Sequence, residues 1–194
     1  MAENAAIREK WDRIYAAAEE GVPEPAKVLA EHVHLLPQQG DACELACGLG
    51  GNALMLAQRG LRTRAWDISP VAIQRITAMA EDQGLAIDAE VRDVETASIP
   101  RNAFDVVVVS RFLSRAIVPS IADSLKVGGV LFYQTYTRDK LSAAGPCNPD
   151  YLLARNELIR LFSGLRLVYY REDGYCGDLS RGARDEAYFI AQKA

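Results

Sequence analysis

The segment Glu44-Leu45-Ala46-Cys47-Gly48-Leu49-Gly50-Gly51-Asn52 joins a short apolar run to a glycine turn and then to a helical pattern that opens near Asn52. Glycine has no Cβ, so such a turn lets backbone N–H groups and a helix N-terminus approach a ligand closely, which suits a nucleotide-type molecule. Asp67 follows 19 residues after Gly48 at the end of the next apolar run, where a carboxylate can accept hydrogen bonds from both hydroxyls of a ribose. Asp93 follows a third run, in Val91-Arg92-Asp93-Val94, placed to bond an adenine amino group while Val94 packs on the ring. Ser110-Arg111 closes a fourth run, Phe104 to Val109. Taken singly, these residues also suit a turn, a strand end or a helix cap. Taken together, successive acids behind a glycine turn describe one pocket.

The elements that must carry these residues alternate. Residues 43–47, 62–66, 86–91, 104–109 and 130–135 read as strands, with helices at 52–59, from Pro70 to Gly84, and at 115–125. Ser69-Pro70 supplies an N-cap and a proline at the first helical position. Strand and helix in alternation imply an α/β, Rossmann-like, doubly wound and mostly parallel sheet. Leu165 to Tyr170 and Glu186 to Ala191, after a helix at 151–162, are joined by a turn-rich segment, and they complete seven strands as an antiparallel C-terminal pair. Two helical patterns lead in, one with Ile7, Trp11, Ile14 and Tyr15, the other from Pro23 through Leu36. Residues 1–194 therefore read as a single domain, with 1–40 as helices that close a pocket and 41–194 as the α/β core. The polar loop 137–149 lies on the ligand side of such a sheet and suits a lid.

Composition narrows the partners. A net charge of −4 without runs of like charge gives no electrostatic footprint for nucleic acid or an anionic membrane. No segment reaches the roughly 20 apolar residues of a membrane span, and the polar start lacks a signal core, so the expectation is a soluble, cytoplasmic protein. Cys43, Cys47, Cys147 and Cys176 contain no C-x-x-C pair and are expected to be free thiols. His32 and His34, two apart on a helix, would point to different faces, so no metal site is expected. Oligomeric state is not legible.

With Glu44-Leu45-Ala46-Cys47-Gly48-Leu49-Gly50, Asp67 and Asp93-Val94 in place, the chain resembles the class I S-adenosylmethionine-dependent methyltransferases over nearly its whole length. More narrowly it is similar to the small tellurite-resistance-type methyltransferases, through Trp11-Asp12 and Tyr15, Gly51-Asn52-Ala53, Trp66-Asp67-Ile68-Ser69-Pro70, and Leu125-Lys126-Val127-Gly128-Gly129. The resemblance implies S-adenosyl-L-methionine as cofactor, held by Gly48, Gly50, Asp67, Asp93, Val94 and Ser110 beside Ala46, Cys47, Asn52 and Ile68. Glu44 would organise the turn or the methionine ammonium, and the N-terminal helix would help close the pocket. It also implies a small-molecule methyl acceptor such as a thiol or a selenium or tellurium oxyanion, for which a cation near the pocket helps more than a base. Arg111 is the candidate catalytic residue in that sense. Arg115 and Arg138 read instead as solvated or helix-end partners. Related sequences carry His-Arg where this chain has Ser114-Arg115, so no histidine role transfers. The alternatives are an S-adenosylmethionine-binding protein without turnover and an NAD-dependent oxidoreductase. Base-amino methylation loses ground because Ser110-Arg111-Phe112-Leu113 replaces the proline-rich tetrapeptide typical of those enzymes.

Overall fold

The computed structural model describes residues 2–19 and 21–194, with side chains described from Ala5 onward except at residue 20. Seven strands form one sheet: β1 (Asp41–Leu45), β2 (Arg62–Asp67), β3 (Ile87–Val91), β4 (Phe104–Ser110), β5 (Leu125–Tyr136), β6 (Arg166–Arg171) and β7 (Glu186–Gln192). Their spatial order is β3-β2-β1-β4-β5-β7-β6. The first five run parallel, and β7 lies antiparallel to both β5 and β6. The helices are α1 (Ala2–Ala16), α2 (Lys27–Ala30), α3 (Gly51–Gln58), α4 (Pro70–Asp82), α5 (Val118–Ser124) and α6 (Glu157–Leu161).

The continuous valine run of β4 is explained by burial on both faces. Val107 and Val109 enter a core with Leu131, Tyr133, Ile121 and Phe162, while Val106 and Val108 enter the opposite one with Val28, Leu56, Phe132 and Ile190. Helices therefore cover both sides, as a parallel sheet requires. The chain leaves β1 to form β2 on one side and returns to place β4 on the other, so the order reverses at β1. A crevice at the carboxyl ends of β1 and β4 is the consequence.

Three expected elements differ. The helical pattern from Pro23 to Leu36 yields only the four-residue α2 and a 3₁₀ turn at Val33–Leu35, and the N–H groups of Ala26 and Val28, unpaired at any helix start, are capped by side chains from elsewhere in the fold. β5 begins at Leu125 rather than after the glycine pair, and its register with β4 slips between Phe104 and Val106. A Cβ at Gly129 would stand 2.9 Å from the Phe104 carbonyl oxygen, so glycine is what lets the strand pass this slip. The expected helix at 151–162 shrinks to α6, which a 3₁₀ turn at Pro149–Tyr151 precedes. No helix among the described residues is long and apolar enough to cross a membrane.

Candidate functional site

The glycine turn leaves β1 through three left-handed residues, Ala46 at φ 52°, Gly48 at 53° and Gly50 at 80°. Gly50 caps α3, and a Cβ there would fall 2.0 Å from Ile76 Cδ1 of α4, so both its conformation and its space require glycine. Ala46 holds the same backbone region without that licence, a strain of the kind found at ligand sites. The Gly50 N–H closes the turn onto the Cys47 carbonyl at 2.9 Å, and the Cys47 N–H donates to the Trp66 carbonyl at 2.9 Å. Cys47 itself is buried, and its thiol is pushed well above the ordinary range by burial and then by Glu44.

Glu44 lies under this turn and is 1% exposed. One carboxylate oxygen accepts from Asn52 Nδ2 at 2.6 Å and the other from the Ala53 N–H at 2.8 Å. The acid thus caps the start of α3 from a neighbouring strand, where the helix dipole also favours negative charge. Of the two roles expected of it, these contacts fit the organisation of the turn. Burial outweighs both hydrogen bonds and pushes its pKa up to about 8. Asn52 does more than neighbour the turn: its Nδ2 also donates to Ser110 Oγ at 3.1 Å, and its Oδ1 accepts from the Ala26 N–H at 2.7 Å.

Asp67 ends β2, 3% exposed. Its Oδ2 accepts from the Gly48 N–H at 2.8 Å and its Oδ1 from the Ser69 N–H at 2.9 Å, so the acid buttresses the glycine turn. Burial raises its pKa, and the nearby Asp12 adds to the effect against those two N–H bonds. Ile68 follows it, half-buried, and Ser69 caps α4 by accepting from the Ala72 N–H. Asp93 accepts from the Glu95 N–H at 3.0 Å and the Thr96 hydroxyl at 2.9 Å, forming a turn after β3. Val94, 4% exposed, belongs to the core cluster that contains Trp66, Phe104 and Leu113.

Helix α1 covers this end of the sheet. Trp11 and Tyr15 stack with centroids 5.5 Å apart, and the Tyr15 hydroxyl lies 3.1 Å from where a Cβ at Gly48 would stand. Two latches hold the helix down: Asp12 accepts from the Ser69 hydroxyl, and Arg75 of α4 donates to the carbonyls of Tyr15, Ala18 and Glu19.

Arg111 follows β4 at φ 52°. Its Nε donates to Glu186 at 3.2 Å, and the buried amide of Gln134 links the same glutamate (2.6 Å) to the Val28 N–H (2.9 Å). Arg115 is spent on Glu157 and on the carbonyls of Asp150 and Leu152, which fits the helix-end role read for it. The 137–149 loop is pinned by Asp185, which accepts from the Leu141 N–H at 2.6 Å and from the Ser142 hydroxyl at 2.5 Å. His32 and His34 do not sit on one helix. Their rings lie 6.0 Å apart, with His32 packed on Tyr169 and its Nδ1 3.0 Å from the Val28 carbonyl oxygen. All four cysteines are free.

Residues 42–129, which include every part of the turn together with Asp67, Asp93 and Arg111, match the family model of a methyltransferase domain. That segment is thus similar in sequence to methyltransferase domains. The whole fold of that segment and its flanks is similar to TehB from Haemophilus influenzae, with a TM-score of 0.73 at 20% identity over 95% of this chain and 67% of that one. It is also similar to an S-adenosylmethionine-dependent methyltransferase from Mesorhizobium loti, with a TM-score of 0.67 at 15% identity over 87% of this chain and 98% of that one. A curated relative, hemagglutinin 1 from Eikenella corrodens, is 29% identical over 138 residues, which is 66% of this chain but 45% of that protein. The chain therefore spans less than half the length of that relative. Gln134, Glu186, Lys27 and the N-terminal clamp lie outside the matched methyltransferase segment. No local motif marks them, and the partners of Gln134 and Glu186 are remote in sequence.

Proposed function

We propose that the chain is an S-adenosylmethionine-dependent methyltransferase that acts on a small-molecule acceptor. The observation that carries this reading is the left-handed Gly48–Gly50 turn at the point of strand reversal, with Asp67 bonded to it and Asp93 ending the next strand. The residues fit the donor. A carboxylate has about four lone-pair sites, so Asp67 can accept ribose hydroxyls beside its two N–H bonds. A Cβ at Gly48 would press on Tyr15, Ser110 ends the strand beside β1, and Asp93 follows β3, the strand beyond β2.

A methyl group on a sulfonium supplies an already activated carbon, whose bond to sulfur breaks as the acceptor's electron pair forms the new one. The protein's work is then to hold, align and exclude water. Glu44 and Asn52 fix the turn, α1 covers it, and Arg111 presents positive charge beside Ser110. The N-terminal helices are in this reading the closing element of a single domain. Small thiols and selenium or tellurium oxyanions stand first among acceptors, supported by the likeness to TehB and the resemblance to tellurite-resistance-type sequences.

Calorimetry with S-adenosylmethionine tests the donor: micromolar binding that weakens at least tenfold in Asp67→Ala supports the site, whereas tight NADH binding with none of S-adenosylmethionine refutes it. Release of S-adenosylhomocysteine with thiols, selenite, tellurite and halide then tests turnover. Binding without product on any of them favours a protein that holds the cofactor only.

A further inference from the structure

A cavity of about 230 Å³ lies beyond Arg111, between the ends of β5 and β7 and the start of α2. Its polar groups are almost all donors. Glu186 spends both oxygens on Arg111 and Gln134, and Asp185 spends its own on the loop at Leu141 and Ser142. Arg184, also in the lining, donates to the carbonyls of Gly174, Cys176 and Asp178. What remains is the ammonium of Lys27, the two terminal nitrogens of Arg111 and the hydroxyls of Tyr136 and Tyr188, none of which has a hydrogen-bond partner among the described residues.

Tyr188 is 4% exposed, yet no fully buried side-chain polar atom among the described residues lacks a partner, so its hydroxyl opens onto this space. Burial pushes the Tyr188 phenol up to about 12 and raises that of Tyr136, which keeps both protonated as donors at neutral pH. Arg111 is held toward the cavity by a left-handed backbone and by Glu186, a strain of the kind kept at ligand sites.

We infer that this cavity is an anion subsite in which Lys27, Arg111, Tyr136 and Tyr188 hold the carboxylate of a small acid, with the acid's nucleophilic atom left to face Ser110. Two cations and two phenols without partners, beside carboxylates already paired with donors of their own, favour an oxyanion group, and the volume admits a metabolite of a few heavy atoms. The inference rests on the methyltransferase reading for the acid's role as acceptor, but the anion site itself is testable without it.

The test uses the full chain, with and without saturating S-adenosylhomocysteine, titrated by NMR with thioglycolate and with 2-mercaptoethanol, thiols of similar size that differ in the carboxylate. Thioglycolate is expected to bind at least tenfold more tightly. Lys27→Met and Tyr188→Phe are each expected to erase most of that preference, while Arg62→Met, at the opposite, amino end of β2 and absent from the lining, leaves it intact. Equal binding of the two thiols, binding of neither, or a preference untouched by both variants overturns the inference. Selenite that binds more tightly than thioglycolate overturns the carboxylate assignment in favour of an inorganic oxyanion. Loss of S-adenosylhomocysteine binding with the thioglycolate preference retained refutes the donor reading and leaves the anion site standing.

Discussion

Replacing Glu44 by glutamine changes how stability depends on pH, and the size of the change follows from its surroundings. The carboxyl is buried, with a pKa of about 8 against an ordinary value of 4.5. Between those values the folded chain holds a proton that the unfolded chain has lost. Stability from this group is full below pH 4.5 and is lost as pH rises toward 8. One proton of difference corresponds to a slope of about 1.4 kcal/mol per pH unit, so from pH 5.5 to 7.0 the wild type loses about 2 kcal/mol through Glu44. With a urea m-value of about 2 kcal/mol/M, the midpoint falls by about 1 M.

Glutamine cannot make this change. Its amide also sets donor against donor at either Asn52 Nδ2 or the Ala53 N–H, a cost of about 1–3 kcal/mol. The variant is therefore the less stable at pH 5.5, and its deficit shrinks or reverses by pH 7.0. Urea melts of both proteins at quarter-unit pH steps read this directly. Asp67, raised in the same direction, and carboxylates such as Asp41 and Glu157, lowered by their cation partners, are common to both proteins and cancel in the difference. Parallel curves, with a deficit constant to about 0.5 kcal/mol, would refute the account.

Gly50→Ala places a Cβ 2.0 Å from Ile76 Cδ1 at φ 80°, and is expected to cost about 3 kcal/mol or more in a urea melt. Adding Ile76→Val removes the atom at 2.0 Å, though Cγ1 stays at 2.6 Å, and is expected to restore part of that loss; no recovery would mean that backbone strain and this second contact account for all of it. Arg75→Ala frees the carbonyls of Tyr15, Ala18 and Glu19, so hydrogen exchange is expected to quicken at least tenfold across Trp11–Ala16 while amides of α3 keep their protection. Unchanged exchange in α1 would show that packing alone holds the helix.

Much of this architecture is legible in the sequence because its signals are local. The valine run of β4 announces a strand buried on both faces, Ser69-Pro70 announces a helix start, and the spacing of Asp67 and Asp93 behind Gly48 follows from strands that end at one edge. The segment from Pro23 to Leu36 keeps a helical period yet forms little helix, and the side chains that cap its N–H groups stand 26 and 106 residues away, where no local pattern shows them. The start of β5 is hidden for a similar reason: Lys126-Val127-Gly128-Gly129 has the composition of a turn, and only the pairing of Leu125 with Phe104 starts the strand ahead of it.

The clamp on the N-terminal segment also sets where the fold can be cut. Ala26 and Val28, two residues apart, hang from amides on α3 and on β5, and the carbonyl of Glu24 lies 2.5 Å from where a Cβ at Gly51 would stand. The stretch works as a measured strap across the mouth of the sheet, and inserting one residue between its two anchors would release one of them. A fragment begun at residue 42, where the family match starts, would leave Asn52 and Gln134 each missing a buried partner. Any excision, fusion or exchange of this domain has its first safe junction upstream of Pro23.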